Sequence, residues 1–433
     1  MNKLIAAGLL AAGLCTQAFA ASEADVENAF EPYKKGFPTF PGLSAGMTIN
    51  KDNVDQFKDV LDAGMYMVIK NGWYQIKVGE TLNFPNPKGY IEATRRNLGK
   101  TKLGEKVGQI EGFAGGRPFP EEPSTSDPRA GEKVAWNFKY GANWGDNAAI
   151  HPFYWKYRNM TTGQLERTVK FNFHFLNFKH RTDHAPIPEV TPNPANLYRA
   201  IYVQVLEPQD LKNTQLLIQK YEDDTKFDDA YLYLGFQRRV RRLAAGQVTD
   251  SFLGSDLMIE DFEGYESRVS DMQWKFVGTK NLLMPYYKHN DVKLSDEFKE
   301  DDGYKYVSFT GQGECFPDIT WQLRKVHIVE AIPVNSNHPV SKRIMHFDAQ
   351  VYGASRTLVY DRKGELWKSW TIGKAHPDFH LPVNKGTGVA LDDSFSMVDV
   401  QAKHCTTGQF KGKVDPKLSP ANLFQVQNMR GGN

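Results

Sequence analysis

Four arginines within five residues, Arg238, Arg239, Arg241 and Arg242, are the densest positive charge in this chain. Asp256, Glu260, Asp261 and Glu263 follow closely. A buried guanidinium needs a partner, so the cluster reaches water, those carboxylates or an anionic ligand. Gly42-Leu43-Ser44-Ala45-Gly46 has the spacing of a nucleophile elbow, in which a serine sits on a strained strand-to-helix turn. Phe37-Pro38-Thr39-Phe40-Pro41 precedes it, and its two prolines exclude a central strand, which favours an ordinary glycine-rich loop. His174, His180 and His184 are the nearest approach to a metal cluster, with solvent-facing histidines as the competing reading. His376-Pro377-Asp378-Phe379-His380 lies in a loop, and no cysteine or further acid stands nearby to complete a site. No phosphate-binding loop or dinucleotide fingerprint occurs, and no cofactor is expected. A hydrolase using Ser44, or a metal enzyme using the histidines, is therefore the rival of a non-catalytic reading.

The elements that position these residues are mostly strands. Residues 167–178 alternate, with Val169, Phe171, Phe173 and Phe175 on one side and Lys170, Asn172 and His174 on the other. Residues 199–206 repeat the pattern with Ile201, Val203 and Val205. Residues 214–221 and 229–243 flank an acidic turn and predict a hairpin, the second strand carrying Tyr231 and Tyr233 before it turns basic. Further strands are predicted near 272–279, 304–309, 326–331, 344–352, 356–360, 366–372 and 394–402. Helices are few. Ser22 caps one over 23–30; Asn53 caps one over 54–63, which Gly64 stops; and Asn86 caps one over 87–98. A strand or hairpin is expected over 66–78 around Asn71-Gly72, a long loop over 112–131, and a short helix after Ser419-Pro420. The fold class is mainly β (α+β): a large curved antiparallel sheet or incompletely closed β-barrel with a few covering helices.

Residues 1–20 read as a secretory signal peptide, with Lys3, an apolar run over 4–14 and Ala18-Phe19-Ala20 as the cleavage site. Leu14 before Cys15 departs from a lipidation box. A chain from Ala21 to 433 is expected as a single domain: a helical, lid and loop segment over 21–130, and a β-rich body over 131–433. The formal net charge of +2 is too small for a nucleic-acid partner. Cys315 and Cys405 remain after the leader, and an even number of cysteines in an exported chain predicts a disulfide.

Several stretches carry a resemblance. They are the aromatic strand running into the arginine cluster, Ser251-Phe252-Leu253-Gly254-Ser255-Asp256, Glu260-Asp261-Phe262, and Gly112 through Pro120. Val134-Ala135-Trp136-Asn137, Trp274 through Gly278 and Leu323 through Ala331 fit the same pattern. The chain resembles the domain of unknown function 1329 family, periplasmic proteins with an outer-membrane lipoprotein-sorting-like (LolA/LolB-like) fold. The resemblance implies an open β-barrel with a helical lid over an apolar cavity, and a non-catalytic carrier of a lipid or other hydrophobic small molecule between inner and outer membranes. Phe171, Phe173, Phe175, Ile201, Val203, Val205, Tyr231 and Tyr233 would line the cavity, with the helices at 54–63 and 87–98 as the lid. Arg238, Arg239, Arg241 and Arg242 would meet a headgroup or a partner, unless they pair with the acids at 256–263. An inner-membrane exporter of the resistance–nodulation–division type and an outer-membrane β-barrel are the implied partners. The chain is much longer than small lipoprotein carriers, and an envelope scaffold with a filled core is the third reading.

Overall fold

The alternating segments join one sheet of sixteen strands, thirteen of which form a continuous antiparallel run. In spatial order the run is Met272–Met284, Thr320–Pro333, Val340–Asp348, Ala354–Asp361, Leu366–Ala375, Leu391–Asp399, His404–Lys413, Asn147–Asn159, Leu165–Asn177, Leu197–Glu207, Gln215–Tyr221, Asp229–Leu234 and Arg239–Arg242. Met272–Met284 and Arg239–Arg242 are its two ends and do not pair with each other, so the sheet is open and no closed barrel forms. The computed structural model describes residues 21–244 and 248–430. The expected leader at 1–20 lies outside the described residues. None of the described helices is long and apolar enough to cross a membrane.

Cross-strand register gives the central sheet two chemically distinct faces. One is aromatic: Phe153, Trp155, Phe171, Phe173, Trp370, Phe395 and Phe410 are all buried there. The other is polar, although it too is buried. Arg356 bonds Asp62 with Nε at 2.8 Å and Nη2 at 2.9 Å, and donates to the Trp370 carbonyl at 2.6 Å. Arg324 pairs with Asp348 and donates to the Leu82 carbonyl at 2.8 Å. Residues 48–84 and 286–319 cover this polar face, and the Cys315–Cys405 disulfide ties the second cover to strand His404–Lys413.

Several local expectations change. The helix expected over 54–63 is a 3-10 helix, Val54–Val60, and a separate α-helix runs Ala63–Lys70 where a hairpin was expected. Asp62 starts it by accepting the Met65 amide at 2.9 Å. Gly64 lies in its first turn, where an added Cβ would come within 2.3 Å of Leu358. Only Ile76–Val78 of the expected hairpin is strand. Helix Lys88–Arg96 starts at Pro87, while the Asn86 amide donates to the Gln350 carbonyl. Ser22 caps Glu23–Phe30 as expected, with Asp25 completing a capping box. The basic strand is a hairpin: it breaks over 235–238, where Arg238 has φ +50°, and returns as Arg239–Arg242. Helix Ala130–Lys139 and strand Asn147–Asn159 were not anticipated.

Burial pushes the Asp62 carboxyl up, but Arg356 outweighs it and holds the group below the usual carboxylate range. Asp62→Ala leaves Arg356 buried with its carboxylate gone, and is expected to lower the urea-unfolding free energy by roughly 3–5 kcal/mol. Adding Arg356→Met is expected to recover most of that loss; equal losses in the single and double variants would contradict the pairing.

Candidate ligand site beneath a side-chain-clamped strap

Residues 250–268 cross the aromatic face as a strap of 3-10 turns, Phe252–Gly254 and Ile259–Gly264. Its backbone bonds run within itself, as Phe252 N–H to Leu257 O at 2.8 Å and Glu266 N–H to Glu260 O at 2.8 Å. Side chains attach it to the sheet instead. His404 Nδ1 and Thr406 Oγ1 bond Asp256 at 2.8 and 2.7 Å. Arg343 reaches Glu260 and donates to Asp261 at 2.7 Å, and His338 bonds Glu260 at 3.1 Å. Arg199 donates to Glu263 at 2.9 Å, and Lys220 stands 3.3 Å from Glu266. Phe252 and Phe262 lie under the strap, with ring centroids 5.9 and 6.1 Å from Trp155.

A space of about 30 Å³ remains between strap and sheet, room for water but not for an acyl chain. Phe173, Phe175 and Ile201 line it, with Trp155, Trp370 and Phe262. Phe171, Val203 and Val205 share the aromatic core without lining the space. Tyr231 and Tyr233 lie on the opposite face, packed with Leu176, Tyr202, Phe424 and Met429. Leu232 is the residue of that strand facing Leu216 on the aromatic side. The expected lid helices lie elsewhere. Residues 54–70 sit on the polar face through Asp62, and Lys88–Arg96 packs on Glu23–Phe30. The acids at 256–263 do not meet the arginine cluster. Arg242 turns back within its own hairpin and donates through Nε to Asp229 at 2.9 Å, while Arg238, Arg239 and Arg241 are exposed at the sheet edge.

One end of the space opens on a largely buried ionic cluster. Arg199, Lys220 and Lys374 face Glu263, Glu266, Asp228 and Asp392. Three cations against four carboxylates leave one carboxylate unmatched, and such a site holds a proton. Burial, with Glu266 and Asp392 nearby, pushes Glu263 up to about 8 despite Arg199. His404 is shifted in the same direction, to about 9, by its bond to Asp256 and by Glu166.

The catalytic candidates do not converge. Ser44 is on an exposed loop and its N–H meets Met47 Sδ at 3.3 Å; strand Thr48–Ile49 follows instead of a helix. His174 packs near His151, with ring centroids 5.9 Å apart, His180 bonds Glu222 at 2.7 Å, and His184 Nδ1 has no partner among the described residues, so the three histidines do not converge. His380 does have a distant acid, which sequence reasoning missed: Asp393, 3.2 Å from Nε2, with His289 Nδ1 at 2.8 Å from the same carboxylate. His289 faces acceptors through both ring nitrogens, Asp393 and the Lys305 carbonyl at 3.0 Å, so it is the imidazolium. Asn384 donates to His380 Nδ1 at 2.8 Å, which leaves the His380 proton on Nε2, facing Asp393. The group is a satisfied proton network under the polar face, not a set of free lone pairs.

A large open, mostly antiparallel sheet with a few covering helices defines the class of this protein. The model of the family described as Protein of unknown function (DUF1329) matches residues 48–430, and the chain belongs to that family. An uncharacterized protein of Pseudomonas aeruginosa is 28% identical over 360 residues, covering 80% of this chain and 71% of its own. Among solved structures, a DUF1329 family protein from Desulfovibrio piger is 17% identical, with a TM-score of 0.48, over 70% of this chain and 99% of its own. A putative outer membrane lipoprotein-sorting protein domain from Vibrio parahaemolyticus is 16% identical, with a TM-score of 0.48, over 70% of this chain and 100% of its own.

The clamp is expected to weaken as pH rises. Raised folded values mean that the contributions of His404 and Glu263 are complete below their unfolded values and are lost as pH climbs through about 9 and about 8. The stability difference between wild type and His404→Gln, by urea unfolding, is expected to shrink by about 2 kcal/mol from pH 6.5 to 9, allowing for the partial exposure of His404. Parallel pH profiles of the two proteins would contradict the pairing with Asp256.

Proposed function

We propose that this protein is a periplasmic, non-catalytic carrier that takes a lipid or other hydrophobic molecule against the aromatic face beneath the strap. It moves that molecule between the inner and outer membranes. The observation that carries the reading is the kind of cover this face has. The rings of Trp155, Phe171 and Phe173 meet Phe252 and Phe262 of a segment attached through side chains, without a strand ladder to the sheet. Such a segment opens without disrupting the sheet, as a binding lid requires. Each acyl methylene moved from water onto the face gains about 0.8 kcal/mol. The present space of about 30 Å³ holds no lipid, so uptake lifts Phe252 and Phe262 away with the strap. In this reading a resistance–nodulation–division exporter and an outer-membrane β-barrel stand at the two ends of the path. The exposed arginines at 238–241 are available to a headgroup or a partner protein.

The packed interior also fits a second reading, an envelope scaffold without ligand. Mass spectrometry of solvent extracts from protein purified gently from the periplasm separates the two. A near-stoichiometric hydrophobic molecule is expected, displaced by a fluorescent fatty-acid ester. Protein that is clean in extracts and takes up no fluorescent fatty-acid ester would overturn the carrier reading in favour of the scaffold.

A further inference from the structure

The tryptophans under the strap differ from four of the five elsewhere; the fifth, Trp73, is only half-buried and packs against Lys403. Trp136, Trp274, Trp321 and Trp367 each donate their indole N–H, to Glu132, the Val269 carbonyl, the Tyr74 hydroxyl and Asp399. Of the three tryptophans lining the space under the strap, Trp144 lies at the end that Asp392 also lines. Trp155 and Trp370 are 1% and 3% exposed, and their Nε1 atoms have no partner among the described residues. They flank Phe395, with ring centroids 5.4 and 5.1 Å from it. Trp370 Nε1 faces the strap: a Cβ added at Gly264 would stand 3.5 Å from it. Thr357, its register partner on the same face, also has a buried hydroxyl without a partner. Buried donors left unmade cost about 1–3 kcal/mol each, so a sheet that keeps two indole donors and a hydroxyl under a removable cover is built to satisfy them from outside.

We propose that the site selects an apolar molecule bearing a neutral oxygen acceptor, an ester, amide or ketone carbonyl, which the indole N–H groups of Trp155 and Trp370 bond. This deepens the carrier reading and rests on it. An alkane leaves the donors unmade. A carboxylate would satisfy them but would enter beside Glu263 and Asp392, where three cations already face four carboxylates and leave none free to pair with a fifth.

The test is displacement of the neutral dye N-phenylnaphthylamine from the full mature chain at pH 7 by tetradecane, methyl dodecanoate and dodecanoate. Wild type is expected to favour the methyl ester over the carboxylate by about tenfold. In Trp155→Phe and Trp370→Phe the ratio of ester to alkane affinity is expected to fall by about five- to tenfold relative to wild type, a comparison that cancels the ligands' own partitioning. An unchanged ratio in both variants, or a wild type that prefers the carboxylate, overturns this inference alone. The wild-type comparison stands even where a variant fails to fold. A wild type that binds neither the dye nor any of the three ligands overturns the carrier reading and this inference with it.

Discussion

The structure depends on how residues 250–268 are held to the sheet. No ladder of backbone bonds secures the strap. Arg343, His404, Arg199 and Lys220 do, reaching from four separate strands to Glu260, Asp261, Asp256, Glu263 and Glu266. Arg343 alone takes two buried carboxylates, and breaking a pair of that kind strands a charge away from water. The clamp therefore discriminates sharply between closed and open. It is charge-based and local, and the apolar packing of Phe252 and Phe262 adds to it without fixing its geometry. A fold that needed only to bury its aromatic face would gain more from another strand or helix.

The sheet divides labour between its faces. On the polar face, ion pairs such as Arg356–Asp62 and Arg324–Asp348 are fully enclosed, and the disulfide closes the cover. That side is the rigid support, and its hydrogen bonds specify one arrangement of residues 48–84. On the aromatic face the rings meet one another in edge and stacked contacts that tolerate rearrangement better than a hydrogen-bonded network does. A rigid polar back and an adaptable apolar front, joined through one set of strands, suit a protein that must change its cover while keeping its frame.

Much of this was legible in the sequence. The period-two alternation of Phe171, Phe173 and Phe175 against Lys170, Asn172 and His174 marks the face that the strand buries, and Cys315 and Cys405 pair as expected. What failed was information carried only by pairing. Tyr231 and Tyr233 look like continuations of the aromatic stripe, but which parity of a strand faces which side depends on its neighbour's register, and Leu216 selects Leu232. The break at Gly235–Arg238 hid inside an apparent alternation of arginines. The strap acids were visible, but their partners lie up to 150 residues away, as Asp256 and Thr406 do, and nothing local distinguishes those partners from the nearer arginine cluster. Gly64 was read as a helix stop because its close approach to Leu358 is a tertiary fact.

The central claim is that a hydrophobic molecule reaches the aromatic face by displacing this strap. Hydrogen–deuterium exchange of the protein, followed peptide by peptide while a fluorescent fatty-acid ester is titrated to saturation, tests it most directly. The account predicts that exchange changes across residues 250–268 and along strands 147–159 and 165–177, while residues 48–84 on the polar face keep their protection. Saturable binding that leaves the strap's exchange unchanged, or that alters only the polar face, would contradict it.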